Sequence, residues 1–368
     1  MNLSEAKDIF ESCFICHACT KECPEAIDIP SMIIKSKIDI ANEFGLSWYK
    51  RLYIYLSKNR KMMDYVVLFC KIISPIFFKK NADKLRTRFK VSKFGKRTFP
   101  PFESKSFLNL YQKKYQNPAF ESKKKVAIFI GCLSNYHYIE VGKSLLKILE
   151  KLQIDVYIPN QECCGASAYF SGDIKSVNEL AKKNIDILEG VVNKVDAILV
   201  PESTCASMII KNWKQILENE GNESYLEKLN KIIPKIYLST DFLYTKTNIL
   251  KIMKKCNTKV TYHDPCHARK TLNKYKEVRE LLNRGYELVE LEDSSRCCGF
   301  GGLCTQSDKY ALAYNAGIPK AKKILESGAQ IVSAECNACR MQLNNALDNA
   351  KAENVIFKHP LELIAQSI

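Results

Sequence analysis

Asp264-Pro265-Cys266-His267, then Cys297-Cys298-Gly299-Phe300-Gly301-Gly302, then Cys336-Asn337-Ala338-Cys339: these three short pieces decide how the chain is read. They place five thiols in three clusters within one folding unit. Thiolates are soft ligands that suit zinc, copper(I) and iron–sulfur clusters. The pattern points to a metal module, and the rest of the chain is read around it.

The same order of cysteines occurs upstream. Val126-Ala127-Ile128-Phe129-Ile130 leads to Cys132, Val156-Tyr157-Ile158 to Cys163-Cys164-Gly165, and Ala197-Ile198-Leu199-Val200 to Cys205. Downstream, Val260-Thr261-Tyr262 leads to Cys266, Leu288-Val289-Glu290-Leu291 to Cys297-Cys298, and Gln330-Ile331-Val332 to Cys336. The offsets are 266 − 132 = 134, 297 − 163 = 134, 298 − 164 = 134 and 336 − 205 = 131. Near-constant offsets indicate an internal duplication. Short β-rich runs alternating with helix-length segments predict parallel α/β units. The cysteines then fall in loops at the C-terminal ends of strands, where such folds bind ligands. The copies differ. Where the second has Cys336-x-x-Cys339, this spacing gives the first Cys205-Ala206-Ser207-Met208, so the first copy reads as one ligand short, with Met208 in place of the last cysteine. The second copy is expected to hold the more elaborate site.

Near the N-terminus, Cys13, Cys16, Cys19 and Cys23-Pro24 form C-x2-C-x2-C-x3-C-P, the ferredoxin run for a [4Fe–4S] cluster. In two-cluster ferredoxins the fourth cysteine of each run serves the other cluster. No second run is present here. The fourth ligand is left to Cys23, to Cys70 or to a partner subunit.

The chain has 368 residues, enough for two or three domains. Its 46% hydrophobic content suits a globular core, and a mean hydropathy of −0.20 excludes a polytopic membrane protein. With no signal peptide in view, the sixteen cysteines read as ligands of a cytoplasmic protein rather than as disulfides. The net charge of +16 is concentrated: residues 50–125 hold 21 Lys/Arg and 4 Asp/Glu, or 21 − 4 = +17. No nucleic-acid-binding signature accompanies this basic window. The apolar run Tyr65–Phe78 is too short to span a bilayer, which needs about 20 residues. Beside Lys79, Lys80, Lys84, Arg86, Arg88 and Lys90 it reads either as a surface-lying membrane segment or as a core helix before a basic linker. Gly95 to Pro118 reads as an irregular connection.

The paired C…CCG…C-x-x-C modules, with Tyr262-His263-Asp264-Pro265-Cys266-His267 and Cys297-Cys298-Gly299-Phe300-Gly301-Gly302, resemble the CCG-domain iron–sulfur oxidoreductases. These include the catalytic subunit of heterodisulfide reductase, the iron–sulfur subunit of glycolate oxidase, the third subunit of anaerobic glycerol-3-phosphate dehydrogenase and the lactate-utilisation iron–sulfur proteins. The resemblance implies an unusual, non-cubane [4Fe–4S] cluster on Cys266, Cys297, Cys298, Cys336 and Cys339. Cys132, Cys163, Cys164 and Cys205 are weaker candidates. It does not require a thiol at Cys304. Cys70 and Cys256 read as core residues. His263 and His267 flank Cys266 and are candidates for proton relay or hydrogen bonding to cluster sulfur, with a backbone-satisfied strand-end histidine as the plain alternative.

The expectation is therefore an α/β protein in four parts: a helical ferredoxin-like motif (1–45), a basic, aromatic-rich segment (46–123), a first CCG lobe (124–250) and a second (251–368). No nucleotide or flavin motif is present, so hydride chemistry falls to a flavoprotein dehydrogenase partner. The expected role is electron transfer between that partner and quinone or another acceptor, in the cytoplasm or on the cytoplasmic membrane face. The alternatives are a thiol–disulfide reductase with catalysis at Cys297 and Cys298, and a scaffold with structural clusters.

Overall fold

The computed structural model describes residues 3–25, 27–81, 83–89, 97–301 and 309–368. Two four-stranded parallel sheets dominate it. The first holds β4 (Lys125–Ile128), β5 (Asp155–Tyr157), β6 (Ala197–Val200) and β7 (Ile236–Leu238), in the order β5-β4-β6-β7. The second holds β8 (Lys259–Tyr262), β9 (Glu287–Val289), β10 (Ile331–Ser333) and β11 (Ile356–Phe357), in the order β9-β8-β10-β11. Register places Val126 opposite both Val156 and Ala197, and its counterpart Val260 opposite both Leu288 and Ile331.

Every residue of β6 is buried, which is the state of a strand covered by helices on both faces. One face packs on the helix Ile174–Val192 through Val177, Ala181, Ile185 and Leu188. The other packs on the helix Glu140–Lys151 through Leu145, Ile148 and Leu149. In each lobe the first strand lies between the second and third, so the chain reverses its direction of travel across the sheet there. Loops at such a switch point leave an open crevice, and the repeated cysteines sit on these loops or in the first turn of the helices that follow them.

Ahead of the lobes come α1 (Leu3–Glu11), α2 (Ala18–Glu22), α3 (Ile29–Phe44), α4 (Trp48–Ser57) and α5 (Arg60–Phe77). The Asp28 side chain accepts the Ser31 N–H and Pro30 sits in the first turn, and together these start α3. Lys37, buried on α3, reaches back to the Cys13 carbonyl at 3.3 Å. The inner faces of α4 and α5 join Leu56, Met63 and Val67 to Tyr136 of the first lobe.

The basic segment is neither a lone core helix nor a loose linker. After α5 it forms a three-stranded antiparallel sheet of β1 (Phe78–Asn81), β2 (Lys84–Thr87) and β3 (Thr98–Phe99). This sheet clasps the second lobe. Lys84 pairs with Asp348 at 3.0 Å, Arg340 with Asp83 at 2.6 Å, and the Thr98 N–H donates to the Asn345 side chain at 3.0 Å. Within the stretch expected to be irregular, Ser106 caps the helix Phe107–Tyr115.

Candidate metal centre

The segments after β4, β5 and β6 carry Cys132, Cys163-Cys164 and Cys205; those after β8, β9 and β10 carry Cys266, Cys297-Cys298 and Cys336-x-x-Cys339. All nine thiols line one cavity of about 450 Å³ between the lobes, and Cys16 from the N-terminal run lines it too. Its remaining wall is mostly apolar and aromatic, including Phe14, Tyr53, Phe102, Phe170 and Phe300.

Within the second lobe Cys298 and Cys339 stand with their Sγ atoms 3.4 Å apart. In the first, Cys164 and Cys205 stand 3.2 Å apart. Both separations far exceed a disulfide bond of about 2.05 Å. They approach the spacing of thiolates around one metal with metal–sulfur bonds of roughly 2.3 Å. All fifteen described cysteines are free. In both lobes the glycine after the cysteine pair is left-handed, φ 84° at Gly165 and 91° at Gly299, and donates its N–H to the first thiol of the pair at 3.4 Å. Such N–H···S contacts stabilise thiolate charge. The neighbouring Cys297 and Cys339 thiols hold the Cys298 thiol well below its ordinary pKa, while Cys16, Cys297 and burial raise that of Cys266. The buried Lys320 ammonium lies close enough to Cys298, Cys266 and Cys297 to interact with them electrostatically, anchored by a 2.6 Å bond to the Asp293 carbonyl. A crowd of soft donors, partly desolvated and supplied with N–H and ammonium partners, fits an iron–sulfur cluster.

The N-terminal run turns through left-handed residues Ile15 (φ 52°) and His17 (φ 56°), and the Ile15 N–H donates to Cys13 Sγ at 3.4 Å. Cys16 and Cys266 line the same cavity, close enough to interact electrostatically, and Phe14 lies against Gly301, so the run touches the second lobe directly. Gly301 permits this approach. A Cβ there would lie 1.8 Å from the Phe14 carbonyl oxygen. His17 and His267 meet edge to face with ring centroids 6.1 Å apart. Cys19 is exposed. Cys70 sits on α5 and does not line the cavity. Cys256 packs at the edge of the Val260–Tyr262 core. Cys304 and Gly302 lie outside the described residues.

The sequence pattern of the CCG family, a cysteine-rich domain, matches residues 126–210 and again 260–344. The chain belongs to this family. An uncharacterized iron–sulfur protein of Methanocaldococcus jannaschii is 32% identical over 66% of this chain and 45% of its own length. The C-subunit of anaerobic glycerol-3-phosphate dehydrogenase from Escherichia coli is 29% identical over 74% of this chain and 66% of its own. Lactate utilization protein A of Geobacillus thermodenitrificans is 32% identical over 48% of this chain and 73% of its own. The chain thus spans less than half the length of the first of these relatives. A hypothetical protein from Helicobacter pylori has a similar fold, with a TM-score of 0.53 at 12% identity over 99% of this chain and 64% of its own.

The two CCG matches are offset by 260 − 126 = 134 at their starts and 344 − 210 = 134 at their ends. That register corrects the pairing of the last cysteines. Cys205 corresponds to Cys339, since 205 + 134 = 339, and both thiols contact the second cysteine of their own pair. The position of Cys336 is held in the first lobe by Glu202. Each of these residues caps the helix that carries the final cysteine, Ser203–Ser207 and Asn337–Asn349 respectively. Met208 corresponds to Gln342 and packs in the core. The first CCG lobe is still one thiol short, but a carboxylate replaces the thiol. The Glu202 carboxylate is buried and accepts the Asn337 backbone N–H at 2.9 Å, and it is bonded to Ser134 and to the Asn337 side chain. It caps the cysteine-bearing helix of the other lobe. In return, Ser203 N–H donates to the Glu335 carbonyl at 3.0 Å, and Thr204 Oγ1 stands 3.5 Å from Cys336 Sγ. Sequence reading missed Glu202 and Lys320; aligning Glu202-Ser203-Thr204-Cys205 under Cys336-Asn337-Ala338-Cys339 reveals the first.

Proposed function

We propose that this chain is the iron–sulfur electron carrier of an oxidoreductase complex. The observation that carries the reading is that Cys16 lines the same cavity as Cys266 and the other second-lobe thiols, with Phe14 against Gly301, which joins a ferredoxin-type run to the complete CCG module. Cys13, Cys16, Cys19 and Cys23 would hold a [4Fe–4S] cluster. Cys266, Cys297, Cys298, Cys336 and Cys339 would hold a second, for which a non-cubane [4Fe–4S] form suits five thiols. Cys132, Cys163, Cys164 and Cys205 form a smaller set whose fifth position is occupied by Glu202. Bound clusters supply reversible one-electron chemistry. The chain supplies the thiolates, the N–H and Lys320 contacts that favour the more negative oxidation state, and an apolar wall that limits water.

The names of the relatives support a partner that handles the organic substrate: a flavoprotein dehydrogenase of the hydroxy-acid or glycerol-phosphate type, with quinone or another acceptor beyond. A cytoplasmic chain docked on an anionic membrane is supported by the outer faces of α4 and α5. On α5, Met62, Tyr65, Phe69, Ile72 and Ile76 recur at helical spacing and are 44–75% exposed; Trp48, Leu52 and Tyr55 do the same on α4. Residues 47–81 hold eight Lys/Arg against one acidic residue, 8 − 1 = +7. No described helix is long and apolar enough to cross a membrane, so this face would lie in the interface. Phe69→Ser with Ile72→Ser should release the protein from phosphatidylglycerol vesicles in a sedimentation assay. Equal binding by that variant would remove the membrane claim.

The alternative, a thiol–disulfide reductase acting at Cys297 and Cys298, draws support from the single cavity that all nine CCG thiols share. The two readings separate in one experiment on anaerobically purified protein. An electron carrier is reduced by the flavoprotein with its substrate and turns over little alone. A reductase consumes a disulfide with an artificial donor, and Cys297→Ser abolishes that turnover.

A further inference from the structure

The second lobe contains a potential ligand that is not a thiol. His263 directly follows β8 and its side chain is completely buried. Its Nδ1 lies 3.1 Å from the Ser294 carbonyl. A carbonyl only accepts, so Nδ1 carries the ring proton. Nε2 is then a bare lone pair, and this buried atom has no hydrogen-bond partner. A ligand atom of the ring lies within 4.8 Å of Cys298 Sγ and Cys339 Sγ, and those three donors form one buried group.

We propose that His263 is a nitrogen ligand to an iron that also binds Cys298 and Cys339. The inference rests on the reading that the second CCG lobe holds an iron–sulfur centre, and it adds a ligand to that centre. Three observations carry it. An unpartnered imidazole nitrogen, fully buried on a ring grouped with two thiols, is costly unless it meets a proton donor or a metal. A metal-ligating histidine characteristically donates its other N–H to a carbonyl, which orients the ring. Here the Ser294 carbonyl does so, and its residue is pinned by Ser294 Oγ donating to Asp264 at 2.7 Å and by the Asp264 N–H donating to Ser294 O at 3.1 Å. The third is an internal control. At the 134-residue offset the first lobe has Phe129, an apolar ring packed edge to face on Trp213 at 6.3 Å. The same strand end therefore folds with a phenyl ring, so the imidazole in the second lobe is not demanded by packing. A neutral nitrogen donor in place of sulfur raises a cluster's potential.

The test is pulsed EPR on anaerobic full-length protein, with and without ¹⁵N-histidine, together with iron analysis. The wild type should show a strongly coupled, isotope-sensitive nitrogen. His263→Phe, which copies the first lobe, should lose that signal completely. His263→Cys should keep the iron, lose the nitrogen signal and lower the midpoint potential of one centre. Iron-loaded wild type without a coupled nitrogen, or the same nitrogen signal in His263→Phe, overturns the His263 assignment while leaving the electron-carrier reading intact. Wild type that binds no iron overturns both.

Discussion

Gly301→Ala tests the junction between the N-terminal run and the second CCG lobe. The added Cβ would stand 1.8 Å from the Phe14 carbonyl oxygen, with the Phe14 carbonyl carbon at 2.6 Å. Non-bonded atoms of this kind stay at least 3.0 Å apart. One backbone must therefore retreat by 3.0 − 1.8 = 1.2 Å. Neither side can yield by a rotamer change, because the obstacle is main chain. Overpacking of this kind costs about 1–3 kcal/mol, or roughly 2–4 °C in melting temperature per kcal/mol for a unit of 150–250 residues. The retreat also draws Cys16, two residues from Phe14, away from Cys266. Differential scanning calorimetry should show the lowered transition, and EPR of the reduced protein should show weakened interaction between the two centres with iron content retained. An alanine variant with unchanged melting and unchanged spin coupling would refute the close approach of the two loops.

Glu202→Cys should convert the first lobe to a full C-x-x-C set and raise iron bound per chain, read by colorimetric iron analysis. Arg340→Met should cost about 3–5 kcal/mol, since it leaves Asp83 and Glu362 without their shared buried cation; denaturant melts measure this. His359, which caps the helix Pro360–Gln366, is pushed down to about 3 by burial. Its folded pKa lies below the unfolded value of about 6.5, so the unfolded chain takes up the proton first. Stability is full above pH 6.5 and is lost as pH falls toward 3, by up to about 1.4 kcal/mol per pH unit. His359→Asn keeps a capping acceptor and should flatten that dependence in melts run from pH 7 to pH 4.5.

The duplicated α/β lobes and the place of each repeated cysteine beyond the C-terminal end of a strand were legible because strand period and cysteine spacing are local signals. The pairing of Cys205 was not. Matching cysteine to cysteine gave an offset of 131, whereas helix capping and sulfur contacts keep 134, with Glu202 as the odd residue. The clasp formed by β1–β3 was also hidden. Lys84 and Asp83 look like any solvated charge until their partners Asp348 and Arg340, more than 250 positions away, fold beside them. The shared cavity of Cys16 and Cys266 was equally out of reach, since nothing in either motif encodes which loop faces it.

That shared cavity is the most direct point at which to test the proposed electron path. EPR of the fully reduced, anaerobically purified protein, with iron and sulfide counted on the same sample, measures it. The expected result is two magnetically interacting centres in the wild type and loss of the interaction in Cys16→Ser, with the second-lobe centre retained. Fewer than about four irons per chain, or two centres that ignore each other in the wild type, would contradict the account.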